Sequence, residues 1–66
     1  MRKQELLQRI VEFLQQQNKQ SFNYKQIAFG IGVENPAHRL DVLNALDELV
    51  AADDILEVDL GKYKAK

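Results

Sequence analysis

The spacing of apolar residues along this chain changes once, at Asp53-Asp54, and that change restricts the fold more than any single motif. Before it, apolar side chains recur every three or four residues, the period of a helix with one buried face; after it, they alternate, the period of a strand. From Glu5 to Gln17, Leu6, Leu7, Ile10, Val11, Phe13 and Leu14 stand among Gln8, Arg9, Glu12, Gln15 and Gln16, which predicts an amphipathic helix ending near Asn18. Asn23 followed by Gln26 three residues on has the form of a capping box, with Phe22 and Ile27 at the flanking apolar positions. A short second helix therefore starts at Tyr24 and runs through Ile27, Ala28 and Ile31, with Gly32 placed as the left-handed residue that closes it. Asn35-Pro36 gives a cap and a proline at the first helical position. Leu40, Val42, Leu43, Leu46, Leu49 and Val50 then carry a third helix to about Ala52.

Beyond the break, Leu56, Val58 and Leu60 alternate with Glu57 and Asp59, and Tyr63 and Ala65 alternate with lysines, so a hairpin is expected with Gly61 at its tip. Ser21-Phe22-Asn23 is placed to add a short third strand. The order predicts an α+β, mostly α, winged helix-turn-helix: three helices followed by a β-hairpin wing. A three-helix bundle with a frayed tail is the rival, and the alternation from Leu56 to Ala65 speaks against it. Leu6, Ile10, Phe13, Leu14, Ile27, Ile31, Leu43, Leu46, Leu49 and Tyr63 are expected to share one core. Phe29 falls opposite the apolar face of helix two and is expected to be partly exposed, as an incidental surface residue, as a contact for a neighbouring domain, which is the preferred reading, or as a stack for an unpaired base.

Size leaves that core little help. A chain of 66 residues buries only roughly 60% of its unfolded surface, so residues 1–66 form one domain at most. With no cysteine and with His38 as the sole histidine, neither a disulfide nor a zinc site is available to staple it. No apolar run reaches the roughly 18 residues that span a bilayer, and Met1-Arg2-Lys3-Gln4 lacks the features of a signal peptide, so a cytoplasmic setting is expected.

Catalytic chemistry is poorly supplied. Ser21 is the only serine, there is no threonine, and His38 belongs to another element with no orienting acid in view. His38 is expected to be an exposed first-turn residue or, less simply, a contact to a ligand backbone. Asp53, Asp54, Glu57 and Asp59 read as a helix stop and the solvated side of a strand, since a calcium-type loop needs a ligand spacing and a glycine turn that they lack. Gly30 and Gly32 follow a helix instead of a strand, so they are structural and form no phosphate loop.

The net charge of −1 conceals a strong division. Residues 1–33 carry five basic and two acidic side chains, residues 34–59 carry Arg39 against eight acids, and residues 60–66 carry three lysines. In a DNA-reading helix-turn-helix the third helix meets base edges. Here that helix offers His38, Arg39, Asp41, Asn44 and Glu48, whose carboxylates repel a phosphate-walled groove. A basic rim remains: Lys19 and Lys25 around the start of helix two, Arg39 in helix three, and Lys62 and Lys64 on the second wing strand, with Lys66 beyond them. Helix N-termini add N–H donors for phosphate. The wing lysines have two readings, phosphate contact and protection of an exposed strand edge.

Phe22-Asn23-Tyr24-Lys25-Gln26-Ile27-Ala28, Gly30-Ile31-Gly32-Val33, Leu43-Asn44-Ala45-Leu46-Asp47-Glu48-Leu49-Val50 and above all Glu57-Val58-Asp59-Leu60-Gly61-Lys62-Tyr63-Lys64 resemble the N-terminal winged helix-turn-helix domain of bacterial ribonuclease R-type exoribonucleases, of the ribonuclease II family. The resemblance covers nearly the whole chain and is most specific at Gly61-Lys62-Tyr63. It implies a processive, magnesium-dependent 3′-to-5′ RNA hydrolase in which such a domain precedes cold-shock-like and catalytic domains. This chain is then expected to be a non-catalytic, monomeric fragment of a longer one, without a cofactor of its own, that binds RNA weakly and non-specifically through the rim and neighbours those domains. The family's catalytic acids map to no position here, and Asp53-Asp54 stands where a glycine is common in the turn after the third helix. Two other functions stay open: a protein-interaction or autoregulatory domain docking through the acidic third helix, and a free-standing DNA-binding transcription regulator.

Overall fold

A helix leaves backbone groups unpaired at both ends, and each helix of this protein stops where something takes them up. In the computed structural model, which describes residues 2–66, the elements run α1 (Lys3–Gln16), α2 (Tyr24–Gly30), α3 (Pro36–Ala51), β1 (Ile55–Asp59) and β2 (Lys62–Ala65). Met1, the first residue of the expected domain, lies outside the described residues. The capping box of α2 is complete: the Gln26 N–H donates to Asn23 Oδ1 and the Asn23 N–H to Gln26 Oε1, each at 2.9 Å. At α3, Pro36 occupies the first turn and the Ala37 N–H donates to Asn35 Oδ1 at 2.9 Å.

The two C-termini share one device. After α2, Gly32 adopts a φ of 84°, and the N–H groups of Gly32 and Val33 return to the carbonyls of Phe29 (3.2 Å) and Ala28 (2.8 Å). After α3 the same pair of bonds joins Asp53 to Val50 (3.0 Å) and Asp54 to Leu49 (2.9 Å), and Asp53 takes the left-handed slot at a φ of 64°. Asp53 is the only residue other than glycine with positive φ among the described residues. It occupies a position that glycine fills without strain, and aspartate is among the few side chains that tolerate it.

β1 and β2 form an antiparallel hairpin in which Ile55 faces Ala65, Leu56 faces Lys64, Glu57 faces Tyr63 and Asp59 faces Lys62, with a bulge between Glu57 and Asp59. The expected third strand is reduced to a single antiparallel bridge, Phe22 to Tyr63, with both N–H···O bonds at 2.8 Å. This is a mostly helical α+β fold of winged-helix type. Its Cα radius of gyration, 10.3 Å, is close to the roughly 11 Å of a single packed domain of this length.

The core contains Leu6, Ile10 and Leu14 of α1, Ile27, Ala28 and Ile31 around α2, Val42, Ala45, Leu46 and Leu49 of α3, and Ile55 and Tyr63 of the hairpin. Two expected members change place. Leu43 is only half-buried and Val42 fills the core in its stead, because the buried face of α3 is centred on Val42, Ala45, Leu46 and Leu49. Phe13 is half-buried and packs against the core from outside. In the hairpin the inward residue of β1 is Ile55, one position before the alternation was expected to begin, while Leu56, Val58 and Leu60 are exposed. A shift of one residue in a strand exchanges its faces, and the bulge at Val58 removes the alternation beyond it.

The left-handed aspartate supplies a test. Asp53→Gly relieves backbone strain and gives up only an exposed ion pair with Lys66, which contributes little. Stability in urea is expected to rise by about 0.5–1 kcal/mol, whereas Asp53→Val, a branched residue at positive φ, is expected to cost more than about 1 kcal/mol. A loss of stability in the glycine variant would show that the carboxylate outweighs the backbone.

Candidate nucleic-acid interface

Tyr63 organises the wing. Its side chain is buried, and its backbone N–H and C=O are both engaged by Phe22. Lys62 and Lys64, immediately on either side, therefore point away from the core. The bridge also bears on why lysines are there. Tyr63 presents its hydrogen-bonding groups to the open side of β2, and Phe22 already occupies them, so protection of a bare edge explains these lysines less well than it did on the sequence alone. Lys62 faces Asp59 across the hairpin, but Asp59 Oδ1 accepts from the Leu60 N–H at 2.8 Å and Glu57 Oε2 from the Gly61 N–H at 2.9 Å. Both carboxylates hold the wing tip, where Gly61 has a φ of 72°, and neither forms an ion pair with a wing lysine.

The other rim residues are dispersed. Lys19 is exposed in the turn after α1 and lines a polar recess with Gln16, Gln17, Asn18 and Gln20. Lys25 is exposed in the first turn of α2. Arg39 is half-buried, on the flank of α3 that carries Leu43 and Val50. That placement corrects the expectation of one polar side: Asp41 and Glu48 lie on the opposite flank and, with Asn44, Lys3, Leu6 and Ala45, line a groove between α3 and the start of α1. Lys3 Nζ meets Glu48 Oε2 there at 3.0 Å. The cation of α3 is thus separated across the helix from Asp41 and Glu48, while Asp47 stands on the outward side between the two flanks. The helix N-termini offer less than expected, since the caps Asn23 and Asn35 already take the Gln26 and Ala37 N–H groups.

Ion pairs take up three of the nine cations. Lys3 pairs with Glu48, Arg9 with Glu5 at 3.1 Å, and Lys66 with Asp53. Among the described residues Arg2, Lys19, Lys25, Arg39, Lys62 and Lys64 have no acidic partner. His38 is exposed. No three His, Asp or Glu side chains converge in a metal-holding group among the described residues, and no helix there is long and apolar enough to cross a membrane.

An apolar groove, about 520 Å³, lies beside Lys25 and was not foreseen as a unit. Phe13, Phe22, Phe29 and Gly30 line it, with Lys25 and Gln26 at its border. The Phe13 and Phe22 rings touch at a centroid distance of 5.1 Å and a tilt of 59°. A Cβ on Gly30 would stand 2.3 Å from the Phe13 ring, so the absence of a side chain at Gly30 is what lets α1 and α2 approach here. Phe29, 79% exposed, rises from the groove as expected from the pattern of α2. Only Gly30 hinted at the groove in the sequence, and the crossing of α1 over α2 had to be known to use that hint.

With this geometry in hand, comparison with protein-family models, with curated proteins and with solved structures finds no match to the chain.

The buried tyrosine makes a pH-dependent prediction. Burial pushes the Tyr63 phenol above its ordinary value, and the nearby carboxylates of Glu57 and Asp47 push it further the same way. A phenol raised in the folded state stabilises the fold fully below the unfolded value near 10 and loses that contribution as pH rises through the folded value. In a Tyr24→Phe background, ultraviolet titration is expected to show phenolate forming above pH 10, together with loss of the fold; a step at or below 10 with the fold intact would contradict the burial of Tyr63.

Proposed function

We propose that the domain is a non-catalytic RNA-binding module whose contacts run from Lys19, Lys25, Arg39, Lys62 and Lys64 to phosphates. The observation that carries this reading is that all five lack acidic partners, as Arg2 also does, whereas Lys3, Arg9 and Lys66 are held in ion pairs. Free cations on several elements suit a chain of phosphates, which demands charge and tolerates imprecise geometry. Base reading by α3 has little support, since its outward side presents Leu40, Asn44 and Asp47 and one flank is acidic. A DNA-reading regulator is accordingly the weaker alternative.

The resemblance to ribonuclease R-type enzymes gives this module its setting: a monomeric accessory domain, without cofactor, of a cytoplasmic 3′-to-5′ exoribonuclease whose magnesium-dependent chemistry resides in a separate catalytic domain alongside cold-shock-like domains. A protein-docking role is the second reading. The exposed Leu40, Leu56, Val58 and Leu60 are the apolar side chains such a contact would use.

The salt dependence of RNA binding separates these readings. Fluorescence anisotropy with a labelled single-stranded RNA is expected to give a Kd of roughly 10⁻⁴ to 10⁻⁶ M, little affected by sequence. If all five cations reach phosphates, affinity falls about hundredfold between 50 and 200 mM salt, from a slope of about −0.7 per contact. Lys62→Glu with Lys64→Glu is expected to weaken binding and flatten that slope by about 1.4 while leaving the fold intact. Salt-insensitive binding, or none at 50 mM salt and millimolar RNA, would contradict the proposal.

A further inference from the structure

All three phenylalanines of the chain line one groove, and the only charged side chain on its border is Lys25. In a protein with ten acidic residues against nine basic ones, an aromatic recess with a cation and no carboxylate is complementary to one kind of partner, an apolar ring attached to an anion. We infer that this groove stacks an unpaired RNA base on Phe29, with Lys25 meeting the adjoining phosphate. The inference rests on the RNA-binding reading and adds to it the strand type and the residue that selects it.

Three features fit an unpaired nucleotide. Phe29 is 79% exposed on a helix capped at one end by a capping box and closed at the other by Gly32, so the backbone that carries it is in place before any ligand arrives. The Phe13 and Phe22 rings are already packed on each other, and Phe13 also on Gly30, which makes them a floor and leaves Phe29 as the free aromatic face. Gln26 uses its carbonyl oxygen in the capping box, which orients its amide, and among the described residues the amide nitrogen has no partner. It stands at the border as a donor for a base edge or a phosphate oxygen. A stack of this kind depends on an exposed base face, which duplex RNA withholds and a single strand offers.

The test compares variants of Phe29, which is exposed enough to change without unfolding the domain, by anisotropy with a labelled twelve-nucleotide oligoadenylate and with a twelve-base-pair RNA duplex at 50 mM salt. Phe29→Ala is expected to weaken single-strand binding roughly 5- to 150-fold, the range supplied by one stacked base, with the salt slope unchanged because no phosphate contact is removed. Phe29→Trp is expected to bind as well as the original protein or better. Phe29→Leu, apolar but not aromatic, is expected to behave like the alanine variant. Duplex binding is expected to stay within twofold in all three. The inference is overturned if Phe29→Ala keeps its single-strand affinity, if it loses single strand and duplex alike, or if Phe29→Leu restores binding, as a groove for an apolar protein side chain would allow. Should Phe29→Ala bind normally while the Lys62 and Lys64 double variant does not, the stack fails and the phosphate reading survives; absence of binding by the unaltered protein removes both.

Discussion

Two hydrogen bonds between Phe22 and Tyr63, each 2.8 Å long, tie the hairpin to the helices, and the rest of the molecule depends on them. An isolated two-stranded hairpin is marginal in water. Here the bridge supplies a second partner for β2 while Tyr63 and Ile55 sink into the helical core. The same bridge sets Phe22 against Phe13, and Phe13 closes on the bare backbone of Gly30. One short contact thus positions both candidate surfaces: it aims Lys62 and Lys64 outward from either side of Tyr63, and it builds the floor beneath Phe29.

The legible parts of the fold were those governed by local chemistry. Asn23 and Gln26 form the expected capping box, Gly32 and Gly61 take positive φ where a helix stop and a hairpin tip require it, and the change of period at Asp53-Asp54 marks the passage from α3 to the wing. What remained hidden was set at a distance. The exchange of Leu43 for Val42 follows from how α3 rolls against its neighbours, and the inward position of Ile55 follows from the register with Ala65 and the bulge beyond Glu57. Asp53 belongs between these cases: the glycine-like slot was visible as a departure from the resembled family, while the left-handed backbone that makes it a glycine slot appears only in three dimensions.

For the candidate site, the sequence located the cations but not their state. Lys19, Lys25, Arg39, Lys62 and Lys64 were recognisable from the uneven distribution of charge, yet their lack of acidic partners depends on where Glu5, Glu48 and Asp53 find theirs. The separation of Arg39 from Asp41 and Glu48 across α3 likewise needed the helix to be oriented. The outcome is a domain in which Glu5, Glu48, Asp53, Glu57 and Asp59 are engaged in ion pairs or turns, while its unpaired cations are spread over turn, helix and wing. Such a surface suits a long flexible anion better than a short sequence of base pairs.

An amide-resolved NMR titration with single-stranded and hairpin RNA at low salt tests that reading most directly, because it locates contact on the protein without assuming which residues make it. Shifts confined to the wing around Lys62–Lys64, the turn at Lys19, residues 25–30 and the first turn of α3 are expected, larger in residues 25–30 with the single strand. Shifts limited to Asp41, Asn44 and Glu48, or none at millimolar RNA, would contradict an RNA-binding role and leave protein docking as the function of this domain.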